Sequence, residues 1–405
     1  MALACLATSC ATVASTRLLV QGEEAGAAPA SVDETGEPAK DEAFAMLKEI
    51  IGNMGKVTNL PVTDPSAPPV NVADGTEVVG EDRDGDLLIA PIPFQNPTIG
   101  AGLALGAAYL IPLGKNSPPS MISGGALYSE NDTAGAAFGF KGYFDEDRYR
   151  LSVGLAQVRV NYNLTLANGQ IVALRQDVVA LAAEFLVRVA ERVFVGPQLV
   201  LSGLNTAIRQ SEDAGTIPES ELDVDSLSVG LRVQRDTRDS TFFPRAGSFA
   251  DAQYRIYDPE LGGTFAYQIL PVSYNAFFSP GEKDVVALRG AARLAFGDVP
   301  FYGESFVGAQ SDLRGYTVGT IHDEVLVAVQ AEYRRELIGR LGAVAFAGVG
   351  AVAPTLSEIG DADTLPSAGF GLRFTLEKDN HVNFRLDFAW GEDESVIYFG
   401  VGEAF

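Results

Sequence analysis

The sequence predicts an all-β fold: a transmembrane antiparallel β-barrel of about 16 strands behind a short disordered or helical N-terminal extension. Three observations predict it. From residue 86 onward, apolar residues alternate with polar or very small ones, the period of a strand whose two faces meet different surroundings. The 405 residues are 47% hydrophobic, with a mean hydropathy of +0.11, although the formal net charge is −24. No run of 18 uninterrupted apolar residues occurs, so helical membrane spans are not expected, whereas strands apolar on one face keep the mean hydropathy modest. The 43 Gly, 23 Phe and 13 Tyr suit the same architecture.

Residues 1–30 read as a signal peptide, apolar and ending in the small residues of "GAAPA", although Arg17 interrupts the apolar stretch and no Lys or Arg precedes it. Cys5 and Cys10 both fall there, so no disulfide framework is expected in the remainder. Residues 31–85 read as an acidic, Pro-rich periplasmic linker. Within it, "KDEAFAMLKEIIGNMG" at 40–55 sets Phe44, Leu47, Ile50, Ile51 and Met54 on one face of a short amphipathic helix. "DRDGD" at 82–86 lacks the spacing and closing Glu of a calcium loop and reads as a charged turn.

The barrel occupies 86–405. Strand-like segments fall near 86–94, 98–111, 120–130, 132–144, 148–160, 172–185, 192–205, 224–236, 247–258, 263–279, 284–297, 323–336, 340–353, 367–377, 380–391 and 395–405. Leu227, Val229, Leu231 and Val233 alternate with Ser228, Gly230, Arg232 and Gln234. Val382, Phe384, Leu386, Phe388 and Trp390 alternate with Asn383, Arg385, Asp387 and Ala389, and Phe370, Leu372 and Phe374 with small or polar neighbours. Val325, Val327, Val329, Ala331 and Tyr333 form an apolar face that leaves Glu332 on the other. Such a pattern places apolar residues toward lipid and the rest toward a lumen, and an even number of strands closes without a free edge.

Connections order the ends. Those after even-numbered segments, such as "DEDR" and "EKDN", are short, while 206–223, 298–322 and 354–366 follow odd-numbered segments and are long. Short turns belong to the periplasmic side, so both termini are expected there, with Trp390 near the outer rim and Phe405 at the inner one. A soluble sandwich or propeller leaves the wholly apolar faces unexplained, and no blade-length repeat occurs. No clustered Lys and Arg offers a surface to nucleic acid. His322 and His381 are the only histidines, no Gly-x-Ser-x-Gly elbow occurs and no Cys/His cluster is present, so neither an enzyme nor a metal or other cofactor is expected.

Four tracts carry chemistry beyond the pattern. The 298–322 connection holds Asp312, Leu313, Arg314, Gly315 and Tyr316. "RDTRDSTFFPRAG" at 235–247 supplies Asp236, Arg238, Asp239, Pro244 and Gly247. "AEYRREL" at 331–337 contains Glu332, and the last segments contain Asp387 and end in "YFGVGEAF" with Phe399, Val401 and Phe405. Together these tracts resemble the barrel-assembly superfamily, the BamA/TamA type also called bacterial surface antigen, in a short form lacking POTRA domains. The resemblance covers 86–405. It implies that "LRGY" tips a loop folded into the lumen, that 235–247 is a periplasmic turn, and that Phe399, Val401 and Phe405 form a C-terminal assembly signal. It also implies a Gram-negative outer membrane, with lipids and the barrel-assembly machinery as partners during the protein's own insertion. One departure stands out: where the family carries Asp in Phe-x-Asp-x-Gly, "FAGVG" has Gly348.

The residue chemistry points the same way. A guanidinium cannot deprotonate, so Arg314 inside a lumen needs carboxylates, and Glu332 and Asp387 face inward by parity, with Arg373 as a further lumen residue. The expected function is assistance to the insertion or transport of polypeptide or lipid at the outer membrane. The weakly paired first strand would supply the opening, since Pro91 and Pro93 lack ladder donors. The alternative is a passive channel or structural barrel that keeps the scaffold.

Overall fold

The computed structural model describes residues 86–405 apart from 97, 112, 114–116, 118–119, 166–170, 211–221, 242, 309–311 and 378–380. The expected signal peptide, linker and 40–55 helix lie outside the described residues, as do the side chains of Pro91, Pro93, Phe399 and Val401. Among the described residues eighteen strands follow one another: β1 Asp86–Asn96, β2 Gly100–Ile111, β3 Ser120–Ser129, β4 Ala134–Phe144, β5 Tyr149–Thr165, β6 Ile171–Ala190, β7 Val193–Gln210, β8 Asp223–Asp236, β9 Gly247–Tyr257, β10 Tyr267–Gly281, β11 Asp284–Gly297, β12 Ser305–Phe306, β13 His322–Asp323, β14 Val325–Ile338, β15 Leu341–Ala353, β16 Leu365–Glu377, β17 Val382–Trp390 and β18 Ser395–Val401. Sixteen of them form one antiparallel sheet closed into a barrel, in chain order, with β11 beside β14. The closing ladder pairs Gln95 with Phe399. β12 and β13 form a separate ladder inside the β11–β14 connection, pairing Ser305 with Asp323 and Phe306 with His322.

The expected alternation produces the two faces. Leu231 and Phe374 are outward and exposed, as are Leu103, Tyr128, Val329, Phe370 and Trp390. A solvent-facing belt of this kind suits lipid, because the same surface in water would be a large apolar patch. Leu386 pairs with Leu372 and Phe388 with Phe370, which places both on that outward face.

β5, β6 and β7 are longer than their sequence pattern predicts, at 17, 20 and 18 residues. The reason is an inversion of polarity along the strand. In the first half of β5, Leu151, Val153 and Leu155 share a face opposite Ser152 and Gly154. In its second half Gln157, Arg159 and Asn163 are exposed, while Val158, Val160, Tyr162 and Leu164 are buried. The strand leaves the apolar belt but keeps its ladder, so its outward face becomes charged and its inward face becomes a core. On that exposed face Arg159 pairs with Asp177 at 2.7 Å.

That core lies on the inward face of β5–β8, β10 and β11. Val158, Val160, Tyr162 and Leu164 of β5 join Val172, Leu174 and Val178 of β6, Leu204 of β7 and Val224 of β8. They meet Tyr267, Ile269 and Ala295 of β10 and β11, and Phe301 and Tyr302 from a single 3-10 turn (Phe301–Gly303) at the start of the β11–β14 connection. Phe301 is 1% exposed. The connection expected as a long loop therefore enters the barrel and is gripped there by apolar packing.

Candidate functional site

The second half of the β11–β14 connection carries Arg314. Each of its anchors follows from strand register. Glu332 of β14 lies opposite Phe346 of β15, and Gly371 of β16 opposite Asp387 of β17, so all four positions face inward together. Arg314 Nη2 donates to Glu332 Oε2 at 2.6 Å and Nη1 to Asp387 Oδ2 at 2.9 Å. Its guanidinium carbon lies 3.4 Å from the centre of the Phe346 ring, close enough for a cation–π contact. Ser367 Oγ donates to the Arg314 carbonyl.

The neighbours of Arg314 fix the loop tip. Gly315 has φ of +105°, and a Cβ there would stand 2.6 Å from the backbone of Trp390 and Gly391. Only glycine combines that conformation with that approach. Gly315 N–H donates to Tyr398 Oη at 3.0 Å, Tyr316 Oη donates to Pro366 O at 2.6 Å, and Thr317 N–H donates to Glu394 at 2.9 Å. Asp312 O accepts from Gln330 Nε2 at 2.6 Å. Leu313 is buried over Gly348 and Gly350, where added Cβ atoms would approach its side chain to 3.0 and 3.3 Å. Gly348, the position where the resemblance leads one to expect an acid, thus leaves room for Leu313, while Asp387 provides the second carboxylate.

Arg373 joins the site through two carboxylates. Its Nη1 donates to Asp387 Oδ1 at 2.6 Å and its Nε to Glu403 Oε2 at 2.8 Å. Arg334 bridges the opposite side, with Nε 2.6 Å from Glu332 Oε1 and 3.7 Å from Glu403 Oε2. The pairs close on themselves: Arg314, Glu332, Arg334, Glu403, Arg373 and Asp387 form a ring in which cation and anion alternate. Every member's side chain is at most 5% exposed. Alternation satisfies the main requirement for burying charge, since each carboxylate lies between two guanidinium groups and each guanidinium between two carboxylates.

Sequence reasoning missed Arg334 and Glu403. Arg334 was accessible to it, being two residues after Glu332 and so on the same face. Glu403 was not, because it stands beyond the end of β18. The expected last strand, 395–405, stops at Val401: Gly402 has φ of +89° and turns the chain inward. Phe405 accordingly lies near the Arg334 and Arg289 guanidiniums, 5.8 and 5.9 Å from its ring centre, rather than in a rim girdle, and its carbonyl accepts from Arg334 Nη2 at 2.9 Å.

The 235–247 tract lies at the short-turn end. The Arg238 guanidinium donates twice to Asp236, at 2.9 and 2.8 Å, and covers the Phe249 ring. Asp239 accepts from the N–H groups of Arg245 and Ala246. Gly247 has φ of +91°, with Thr237 O 2.2 Å from an added Cβ. Pro244 is buried, and Phe243 stacks on His381 of the β16–β17 turn at 4.1 Å. Arg245 reaches Glu336 near the end of β14 at 2.9 Å and also the Glu282 carbonyl, so this turn is tied to two other turns and to β14. His322, the other histidine, sits in β13 with Nδ1 2.6 Å from Glu304.

A profile of the Omp85 superfamily domain matches residues 121–405, well over half of the chain. Among curated protein sequences none matches significantly. Among solved structures, BamA from Haemophilus ducreyi lacking POTRA domains 1–3 is similar at a TM-score of 0.56 and 15% identity, over 79% of this chain and 70% of that one. CdiB from Escherichia coli is similar at a TM-score of 0.57 and 14% identity, over 80% of this chain and 63% of that one. CdiB from Acinetobacter baumannii gives 0.53 and 12%, over 79% and 60%. The chain thus spans between 60 and 70% of the solved chains it resembles, and that likeness is one of fold. With the matched profile, the sixteen-strand barrel and the apolar outward belt on one chain, this protein belongs to the Omp85 superfamily of outer-membrane β-barrels.

Proposed function

We propose that this barrel assists the insertion or transport of polypeptide or lipid at the outer membrane, by lateral opening between β1 and β18 rather than by flow through its lumen. The observation that carries the reading is the β11–β14 connection itself: it occupies the lumen at two anchors, the apolar core at Phe301 and the ring at Arg314. A lumen filled in that way favours a route through the wall. The wall has a natural place to part, because Pro91 and Pro93 in β1 cannot donate to a ladder. A freed β18 edge would offer unpaired N–H and C=O groups on which an incoming strand could form. In this reading the short-turn end and both chain ends face the periplasm, outer-membrane lipids surround the belt, and the barrel-assembly machinery inserts the protein. The residues Phe399, Val401 and Phe405 serve as its assembly signal.

The test is depletion in the native host followed by a census of outer-membrane proteins and lipids. A fall in other barrel proteins or in a lipid class supports the reading. An unchanged census favours a passive or structural barrel.

A further inference from the structure

Among the described residues Glu403 is held by Arg373, Arg334 and Asn383 rather than by Arg314, yet it closes the ring that holds the loop. Its Oε2 accepts from Arg373 Nε at 2.8 Å and lies 3.7 Å from Arg334 Nε, and its Oε1 accepts from Asn383 Nδ2 at 2.8 Å. It follows the closing strand β18 by two residues, across Gly402, whose φ of +89° and N–H bond to Asn383 O at 2.7 Å turn the chain into the lumen. With Glu403 in place the ring holds three guanidiniums and three carboxylates. Without it, the three guanidiniums of the ring share Glu332 and Asp387, so the ring itself carries one excess positive charge, with the Arg385 guanidinium nearby and the Phe405 backbone oxygen still 2.9 Å from Arg334 Nη2. Buried excess charge is costly, and the member free to leave is Arg314, because it alone stands on a loop rather than a ladder.

We propose that Glu403 is a positioning residue for the β11–β14 loop: the tail turned inward behind β18 keeps Arg314 docked, and withdrawing that tail releases the loop. The closing strand and the lumen loop are then one coupled device. This extends the lateral-opening reading, but its test follows the loop directly and needs no client, so the two can fail separately.

The reporter is a cysteine at Val318, a buried loop residue, in a chain with Cys5→Ser and Cys10→Ser. Purified full-length protein in detergent micelles is labelled with a charged maleimide, and heat-modifiable gel mobility reports the folded barrel. Glu403→Gln should raise the labelling rate roughly tenfold or more, since labelling tracks the population of the released loop. Glu403→Asp, which keeps the charge, should label close to the parent. The decisive variant is Glu403→Gln with Arg334→Met. It leaves two guanidiniums for two carboxylates and should return labelling to within about threefold of the parent, a non-additive rescue that signals charge coupling. If the tail acted only by filling space, the double variant would label faster than Glu403→Gln, and that result overturns the proposal. Parent-like labelling of Glu403→Gln overturns it too. Should Glu403→Gln alone fail to fold, the double variant decides: folded and slowly labelled supports the proposal, while unfolded or labelled about tenfold faster than the parent rejects it.

Discussion

One loop fills this lumen by two kinds of chemistry. At Phe301 and Tyr302 it is held by an apolar core against β5–β8, β10 and β11, while at Arg314 it is held by alternating charges between β14, β16 and β17. The apolar anchor draws on many small contacts, each tolerant of a shifted atom. The ionic anchor draws on a few short bonds whose loss leaves a charge buried without its partner. The first grip is graded and the second nearly all-or-none, which is the property a releasable loop requires.

The strongest way to break the comparison is Arg314→Ala. Removing it leaves Glu332 and Asp387 buried without their shared cation, a cost of about 3–5 kcal/mol, reduced where lumen water reaches the site. Loss should appear as a lower urea midpoint in detergent refolding, with Asp387→Ala adding little to it, because once Arg314 is gone Asp387 is one of the carboxylates left in excess, even though its bond to Arg373 goes too. Full additivity of the pair would show that the ring does not act as a unit.

A second contrast lies within a single strand. Val153 of β5 points into the apolar belt, whereas Arg159, six residues on, points outward beyond it. Val153→Arg should cost roughly 2–4 kcal/mol, the penalty of a cation on the lipid face near the bilayer midplane. Arg159→Leu should change stability by less than about 1 kcal/mol, since its pair with Asp177 is exposed. Equal costs, measured by the same refolding assay, would erase the boundary that the inversion of polarity marks.

The sixteen barrel strands were legible in the sequence because each meets different surroundings on its two sides, and period two records that difference residue by residue. The outer halves of β5–β7 were less so. There the apolar residues change face, and a reader who follows one face sees the pattern stop. The β12–β13 ladder is two residues wide and leaves no periodic trace. Within the ring, Glu332, Asp387 and Arg373 are marked by parity, and Arg334 carries the same mark. Glu403 has none, since Gly402 takes it off the strand, and only the fold brings it beside Arg334 and Arg373. Gly348 could be read only as a missing carboxylate, because the space it leaves for Leu313 depends on a loop that arrives from 35 residues earlier in the chain.

Conservative changes sharpen the difference between the anchors. Phe301→Leu keeps an apolar side chain in a packed core and should cost about 1 kcal/mol. Arg314→Lys keeps the charge but loses the planar fork that reaches Glu332 and Asp387 together, and should cost about 2 kcal/mol. Loop release measured by thiol labelling ranks the two. A Lys at 314 that holds the loop as well as Arg would reduce the ring to a matter of net charge.

The smallest effect is expected at Glu304, between the two anchors. It is 3% exposed, and burial pushes its carboxyl above the usual carboxylate range although His322 Nδ1, 2.6 Å away, acts in the opposite direction. A carboxyl whose pKa is raised in the docked loop binds its proton more tightly there than in the released one. Docking therefore gains stability as pH falls through that raised value and loses it as pH rises past it. Glu304→Gln removes the buried charge while keeping an amide able to bond the imidazole. At neutral pH it should leave the loop docked as firmly as the parent or more so, by less than about 1 kcal/mol. The parent should close the gap as the pH is lowered toward Glu304's raised pKa, whereas the variant should lack that component. Labelling at Val318 across a pH series measures both, with the ring carboxylates common to the two proteins and so cancelling in the comparison. A Glu304→Gln loop that loosens at neutral pH would mean that the Glu304–His322 contact holds the loop as an ion pair, and that a third, ionic anchor lies between the two described.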